Sequence, residues 1–217
     1  MAGMTRYAQK ERSGLCETLL EVGPDAPTLC DGWQTKDLAA HLVVRERRPD
    51  AALGMFLPPL AGHLSSVQDG IAGSDWATLV DRVRSGPPRW TPMGALPAID
   101  ERMNLAEFYI HHEDVLRAQP DAAHRTLEPA EDAAIWAALP MLAKMTLRDC
   151  RVGIVADCDG HGRRTLREPK DQHGSVVVSG EPGEVLLFCY GRQAVADVHL
   201  DGADGDLKMI AGTSLGF

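Results

Sequence analysis

Two stretches decide the fold of this chain: Thr35-Lys36-Asp37-Leu38-Ala39-Ala40-His41-Leu42 and Glu107-Phe108-Tyr109-Ile110-His111-His112-Glu113-Asp114-Val115. Each carries apolar residues at helical spacing. Glu107 and His111 are four residues apart, so on a helix they share one face, one turn apart. A carboxylate and an imidazole on one face can bind one metal ion, and His41 from another helix would be a third ligand. Three protein ligands leave coordination positions open, as in catalytic metal sites.

Spacing alone does not single out these residues. The chain has three pairs in which an acidic residue precedes a histidine by four positions: Asp37/His41, Glu107/His111 and Asp157/His161. The first two pairs lie in helix-like segments. The third lies in a glycine-broken stretch, Asp157–Gly162, where a separation of four does not mean a shared face. The helical context therefore leaves Asp37/His41 and Glu107/His111 as the candidate pairs.

His112 and Asp37, which neighbour the candidate ligands, can each be interpreted in more than one way. His112 is rotated by about 100° from His111 on an ideal helix, which favours His111 as the ligand and places His112 at the rim of the site or on the surface. Asp37 could hydrogen-bond the other ring nitrogen of a ligating histidine. It could equally be a favourable charge at the N-terminus of its helix.

The two motifs resemble a known family. The patterns Gly32-Trp33-x-Thr35-x-Asp37-Leu38-x-x-His41-Leu42 and Glu107-Phe-x-x-His111-x-x-Asp114-Val115 resemble the mycothiol-dependent maleylpyruvate isomerase family, part of the wider DinB-like group of metal-binding helical bundles. The stretch from Gly180 to Arg192 is similar to that family's smaller C-terminal domain. The resemblance implies an α+β protein with a DinB-like four-helix bundle over residues 1–149 and a small α/β domain over residues 150–217.

The resemblance also implies a chemistry. It implies that His41, Glu107 and His111 hold a divalent metal, for which we expect zinc because two histidines and a carboxylate suit it, and that mycothiol or a similar low-molecular-weight thiol is the cofactor. The expected activity is isomerisation or S-transfer on a small electrophile. An arginine of the C-terminal domain is catalytic in the isomerase, and Arg192 is our candidate, although it could instead be a cation at a helix C-terminus. The residues that bind the thiol are not assigned.

Two other functions stay open. The chain could be a non-catalytic metal-binding or sensing protein that retains the site. It could also be a redox-responsive interaction module that uses its cysteines, of which there are five. Because no two cysteines form a Cys-x2-Cys pair, we expect reduced thiols and a cytoplasmic location rather than a disulfide framework.

Composition excludes several partners. The net charge of −9 argues against nucleic-acid binding, which needs a basic face. We find no apolar run long enough to span a membrane and no secretory signal at the N-terminus. The expected partners are a low-molecular-weight thiol and a small electrophile, and the expected state is a monomer or a homodimer.

Local patterns predict the elements. Apolar periodicity and proline or glycine breaks predict helices, and β-branched runs after Cys150 predict strands. The predicted helices are 5–22, 35–48, 76–84, 97–118, 128–147 and 183–190, and the predicted strands are 152–155, 175–179 and 196–200.

Overall fold

The computed structural model describes residues 7–88, 97–122 and 124–216. The chain divides into two compact units, Met1–His124 and Arg125–Phe217. The first unit is helical, and the second contains helices and a four-stranded sheet. This mixture confirms the predicted α+β class.

The helices of the first unit are amphipathic segments that pack around one core. Its helices are α1 (Tyr7–Val22), α2 (Thr35–Arg47), the short α3 (Pro49–Ala52), α4 (Ala61–Ala72), α5 (Trp76–Ser85) and α6 (Pro97–Leu116), with 3-10 turns at Leu53–Met55 and Pro58–Leu60. Helix α1 packs along α6 and against α5, and α2 packs against α4 and α5. The apolar stripes of these helices meet in a buried core that includes Leu15, Leu38, Leu79 and Phe108.

Local sequence sets where α1 ends and α2 begins. Gly23 has a φ of +84°, a conformation that glycine adopts without steric cost, and its N–H donates to the Leu19 carbonyl at the end of α1 at 3.0 Å. At the start of α2, the Asp37 carboxylate accepts a hydrogen bond from the Gln34 N–H at 2.9 Å. The helix that carries His41 therefore begins at a fixed point.

The second unit combines strands β1 (Gly153–Cys158), β2 (Gly162–Arg167), β3 (Ser175–Ser179) and β4 (His199–Asp201) with helices α7 (Pro129–Thr146), α8 (Pro182–Cys189) and α9 (Asp204–Ala211). The sheet order is β2-β1-β3-β4. β1 is antiparallel to β2 and parallel to β3, and β3 is antiparallel to β4. Val176 and Val178 of β3 are fully buried, whereas their neighbours along the strand are partly or fully exposed, which is the alternation expected of a half-buried strand.

Besides the short α3 and the two 3-10 turns, the structure contains three elements that the sequence did not predict. Helix α4 was not predicted because Pro58 and Pro59, which precede it, and Gly62, its second residue, indicate a break in helical structure. Strand β2 has the charged sequence Gly-Arg-Arg-Thr-Leu-Arg and only one buried residue, Leu166. Helix α9 begins at Asp204, Gly205 and Asp206, whose composition is typical of turns, but acidic residues also favour the first turn of a helix.

The predicted boundary at 149/150 differs from the division between the compact units. Helix α7 packs on α8 and β2, so it belongs to the second unit by its contacts. Compactness does not test which segments fold alone. The domains 1–149 and 150–217 therefore stay a prediction. Among the described residues, no helix combines the length and the apolar character needed to cross a membrane.

Candidate metal centre

His41, Glu107 and His111 meet in the first unit. The Nε2 atoms of His41 and His111 each lie 3.4 Å from Oε1 of Glu107. Around a tetrahedral zinc ion with bonds of about 2.0–2.1 Å, neighbouring ligand atoms are about 3.3 Å apart. The three donor atoms are thus close to the spacing that one ion requires, and all lie within 4.8 Å of one another. The residues fit a divalent metal, although their role as ligands stays a prediction.

Two helices and one loop residue orient the donors. α2 supplies His41, and α6 supplies Glu107 and His111 one turn apart. The imidazole rings of His41 and His111 meet edge to face, with centroids 5.4 Å apart. The Trp33 indole packs on the other side of His41 at 5.1 Å, so its apolar body limits the water that reaches this histidine.

Arg45 lies beside the carboxylate of this cluster. Its Nε is 3.4 Å from Oε1 of Glu107, and its guanidinium donates to Oδ1 of Asn104 at 2.7 Å. Burial opposes ionisation of Glu107, but Arg45, His111 and His41 outweigh it and hold the pKa of the carboxyl well below its usual range. Glu107 is therefore an anion even without a metal, the form that binds a cation.

The two histidines differ in protonation. Burial lowers the pKa of His41 and so favours the neutral imidazole, the form that coordinates metals. Burial acts in the same direction on His111, but its hydrogen bonds with Asp114, Cys30 and Glu107 outweigh burial and raise the pKa of His111 well above its usual value. A metal must displace a proton from His111, so metal affinity should fall as the pH is lowered through that pKa.

Asp114 holds the other ring nitrogen of His111. Its Oδ2 lies 3.0 Å from Nδ1 of His111, and the Asp114 side chain is fully buried. The Cys30 thiol donates to the same oxygen at 3.2 Å. A carboxylate at this position keeps the proton on Nδ1 and directs the Nε2 lone pair toward Glu107 and His41. The sequence motif contained Asp114, but no local pattern pointed to Cys30, 84 residues away.

Replacing Asp114 with asparagine should weaken metal binding by about 10–100-fold, the usual effect of losing a carboxylate that orients a ligating histidine. The amide preserves the shape of the side chain, but its oxygen carries no charge to stabilise the imidazole. Zinc titration against a competing chelator would measure the change. Asp37→Asn is the matched control and should leave zinc affinity unchanged. Equal zinc affinity in Asp114→Asn and the original protein would contradict the assigned role of Asp114.

His112 is buried, contrary to our expectation of a rim or surface position. Its Nδ1 lies 3.0 Å from the Glu11 carboxylate and its Nε2 lies 2.9 Å from the Thr18 hydroxyl, both on α1. A Cβ added at Gly14 would come within 2.8 Å of the His112 ring. α1 therefore covers the face of α6 that carries His112, away from the His111 face.

The other acidic residues from the sequence analysis do not join a histidine four positions later. The Asp37 carboxylate accepts the Gln34 N–H, so it stabilises the start of α2. Asp157 pairs with Arg163 at 3.1 Å, and His161 pairs with Asp132 at 2.8 Å. Glu107/His111 is thus the pair of the three in which the two side chains meet.

Arg192 lies in the second unit, just after α8. It follows Gly191, which has a φ of +85°, and its backbone N–H donates to the Leu187 carbonyl at 3.0 Å. Its guanidinium donates to the Tyr190 carbonyl at 2.8 Å. These contacts fit a cation at a helix C-terminus, and its catalytic role stays a prediction.

Comparison with known proteins identifies the fold. No family model and no curated protein matches the chain by sequence. A crystal structure of the mycothiol-dependent maleylpyruvate isomerase matches with a TM-score of 0.60 and 17% identity, covering 90% of each chain. The chain has the fold of this isomerase.

A second crystal structure, of a histidine-to-alanine mutant of the isomerase, matches with a TM-score of 0.60 and 18% identity, again over 90% of each chain. The suspected resemblance to mycothiol-dependent maleylpyruvate isomerase is confirmed at the level of the fold. The match includes both units, because it extends over nine-tenths of the chain.

Proposed function

We propose that the protein is a divalent-metal-dependent enzyme that uses a low-molecular-weight thiol of the mycothiol type to isomerise a small electrophile or that attaches this thiol to the electrophile through sulfur. The observation that carries the proposal is the convergence of His41, Glu107 and His111, with both Nε2 atoms 3.4 Å from one carboxylate oxygen. The fold shared with the isomerase supports the thiol and the reaction class.

Each residue of the centre has a separate task in this proposal. His41 and His111 present their Nε2 lone pairs, and Glu107 supplies a negative charge. Asp114 fixes the tautomer of His111 through the 3.0 Å contact with Nδ1. Arg45 holds Glu107 in place and balances part of its charge, since its Nε lies 3.4 Å from Oε1.

The bound metal would lower the pKa of the thiol and hold it as a thiolate. A thiolate adds to an electrophilic carbon–carbon double bond, whose π electrons become a carbanion. Rotation about the remaining single bond followed by loss of the thiolate gives isomerisation, whereas protonation of the carbanion leaves the thiol attached and gives transfer. Cys30 and Trp33, which contact His111 and His41, also line an open hollow of about 510 Å³. This hollow offers small molecules a route to the neighbourhood of the centre.

The finer structural assignments belong to the same proposal. We assign α1, α2, α5 and α6 to a DinB-like four-helix bundle, because α1 packs on α5 and α6, and α2 packs on α5 and contacts α6 through His41 and Glu107. Zinc is the proposed ion, since two imidazoles and one carboxylate suit it. The cytoplasm is the proposed location.

The test has three stages. Elemental analysis of purified protein should find one divalent ion per chain. In cobalt-substituted protein, mycothiol should perturb the visible spectrum, because a thiolate ligand changes the electronic structure of the ion. Turnover should then be measured with mycothiol and a panel of small electrophiles, with maleylpyruvate first. A metal-loaded protein that ignores every thiol would favour the alternative of a non-catalytic metal-binding or sensing protein.

We predict that replacing Arg192 with alanine lowers thiol-dependent turnover by at least about tenfold without changing metal content, because a forked guanidinium can bind an anionic substrate in two places. Lysine keeps the positive charge but lacks the paired donors of the guanidinium. Arg192→Lys should therefore retain part of the activity lost in Arg192→Ala, with a higher KM than the original protein. Arg151, an exposed arginine of the same unit, provides the control variant Arg151→Ala. Unchanged kinetics in Arg192→Ala would leave Arg192 as a helix-terminal cation only.

A further inference from the structure

A second set of metal-ligating atoms lies on the other side of His111. It consists of the Cys30 thiol, the Asp114 carboxylate and Nδ1 of His111. Sγ of Cys30 lies 3.2 Å from Oδ2 of Asp114 and 4.0 Å from Nδ1 of His111, and Oδ2 lies 3.0 Å from Nδ1. Around a tetrahedral zinc ion these separations would be about 3.3 Å between nitrogen and oxygen and about 3.5 Å from sulfur to either, so each separation needs to change by only about half an ångström or less.

The backbone holds these donors together before any ion binds. The N–H of Leu29 donates to the Asp114 carbonyl at 3.0 Å, which ties the loop to α6 directly before Cys30. Within the loop, the Thr28 hydroxyl donates to the Trp33 carbonyl at 2.8 Å and accepts from the Cys30 N–H at 3.2 Å. Cys30 is therefore fixed beside the helix, and little ordering is left to oppose binding.

Cys30 differs from the other four cysteines. Cys16, Cys150, Cys158 and Cys189 are buried, and burial raises the pKa of each thiol, to about 11 for Cys16 and about 12 for Cys158 and Cys189. Cys30 is partly exposed and faces the open hollow. Of the five thiols, it is the one that an ion from solvent can reach.

The two sets of donors cannot use His111 at the same time, because each set needs a different tautomer of its ring. With the proton on Nδ1, donated to Asp114, the Nε2 lone pair faces His41 and Glu107. With the proton on Nε2, donated to Glu107 at 3.4 Å, the Nδ1 lone pair faces Cys30 and Asp114. A neutral imidazole has one lone pair of this kind, so it serves one ion at a time.

We propose that Cys30, Asp114 and Nδ1 of His111 form a second site that binds a thiophilic cation such as Cd²⁺ in place of the ion held by His41, Glu107 and His111. A thiolate selects soft ions, whereas the first set has only nitrogen and oxygen donors. Binding releases the Cys30 thiol proton to solvent and involves no oxidation. The proposal goes beyond the thiol-dependent activity and does not depend on it, since it concerns only which ion binds and where.

The test is a titration of metal-free protein with Cd²⁺ alone. We expect one Cd²⁺ per chain and an ultraviolet thiolate-to-cadmium charge-transfer band. Cys30→Ser should lose the band and still bind one Cd²⁺ through the first set. His41→Ala should keep the band. His111→Ala should lower the Cd²⁺ affinity measured from the band by at least about tenfold, since an inner ligand is lost.

Controls separate the two sites and exclude misfolding. Cys150→Ala removes a buried thiol and should keep the band. Circular dichroism of each variant verifies that the helices are intact. A band that persists in Cys30→Ser would overturn the second site, and two Cd²⁺ ions per chain would overturn the mutual exclusion. If the band is absent and His41→Ala binds no Cd²⁺, the second site fails while the first stands.

Discussion

Replacing His111 with alanine should strip the metal from the purified protein, whereas replacing the adjacent His112 with alanine should leave the metal bound. His111 presents Nε2 at 3.4 Å from Glu107, while His112 contacts Glu11 and Thr18 of α1. Loss of an inner ligand should weaken binding by more than the ~10–100-fold of an outer partner. Elemental analysis after dialysis and zinc titration against a chelator would measure the loss.

His112→Ala is the matched control because it removes the same side chain one position away. It should cost stability instead, since the hydrogen bonds of His112 with the buried Glu11 carboxylate and the Thr18 hydroxyl are lost. Each such bond contributes roughly 0.5–1.5 kcal/mol, and more where one group is charged. Urea unfolding of the metal-free variants would detect this effect. Our placement of the centre would be wrong if His112→Ala lost its metal and His111→Ala retained it.

The parts of the site that the sequence predicts are the local ones. Glu107 and His111 are four residues apart on a helix, so their shared face follows from helix geometry. His41 required the resemblance, because a lone histidine on a helix indicates little by itself. The spacing of Asp157 and His161 is identical, and the glycine-broken turn between them correctly argued against a shared face.

The parts that the sequence could not predict depend on long-range contacts. Cys30 reaches Asp114 across 84 positions, and Glu11 reaches His112 across 101. No periodicity encodes which face of α6 is covered by α1, so the burial of His112 was missed. Strand β2 was missed because its charged sequence shows no alternation of apolar and polar residues. It is a strand because its backbone pairs with β1, a contact that the local sequence does not indicate.

A buried ion pair supports the helices that carry the centre. Arg12 of α1 pairs with Glu46 of α2 through two hydrogen bonds, one of 2.7 Å. The same guanidinium donates to the Val83 carbonyl of α5 at 2.7 Å and lies 4.1 Å from the centroid of the Phe108 ring of α6. One side chain of α1 therefore contacts three other helices, including the two that carry His41, Glu107 and His111.

Replacing Glu46 with alanine should lower the free energy of unfolding by about 3–5 kcal/mol, because it leaves the Arg12 guanidinium buried without its counter-ion. Urea unfolding of metal-free protein, followed by circular dichroism, would measure the change without a contribution from bound ions. The matched control is Asp25→Ala, which breaks the exposed pair with Lys36 and should change stability little, since water solvates both charges.

The double variant Arg12→Met/Glu46→Leu distinguishes the cost of an orphaned charge from the value of the pair. Removing both charges restores an apolar contact with Phe108 and leaves no ion without a partner, so most of the lost stability should return. The same variant should retain its metal affinity if the pair acts only on packing. A loss of stability in Glu46→Ala no larger than in Asp25→Ala would show that water reaches Arg12, and the helices around the centre would then be held by apolar packing alone.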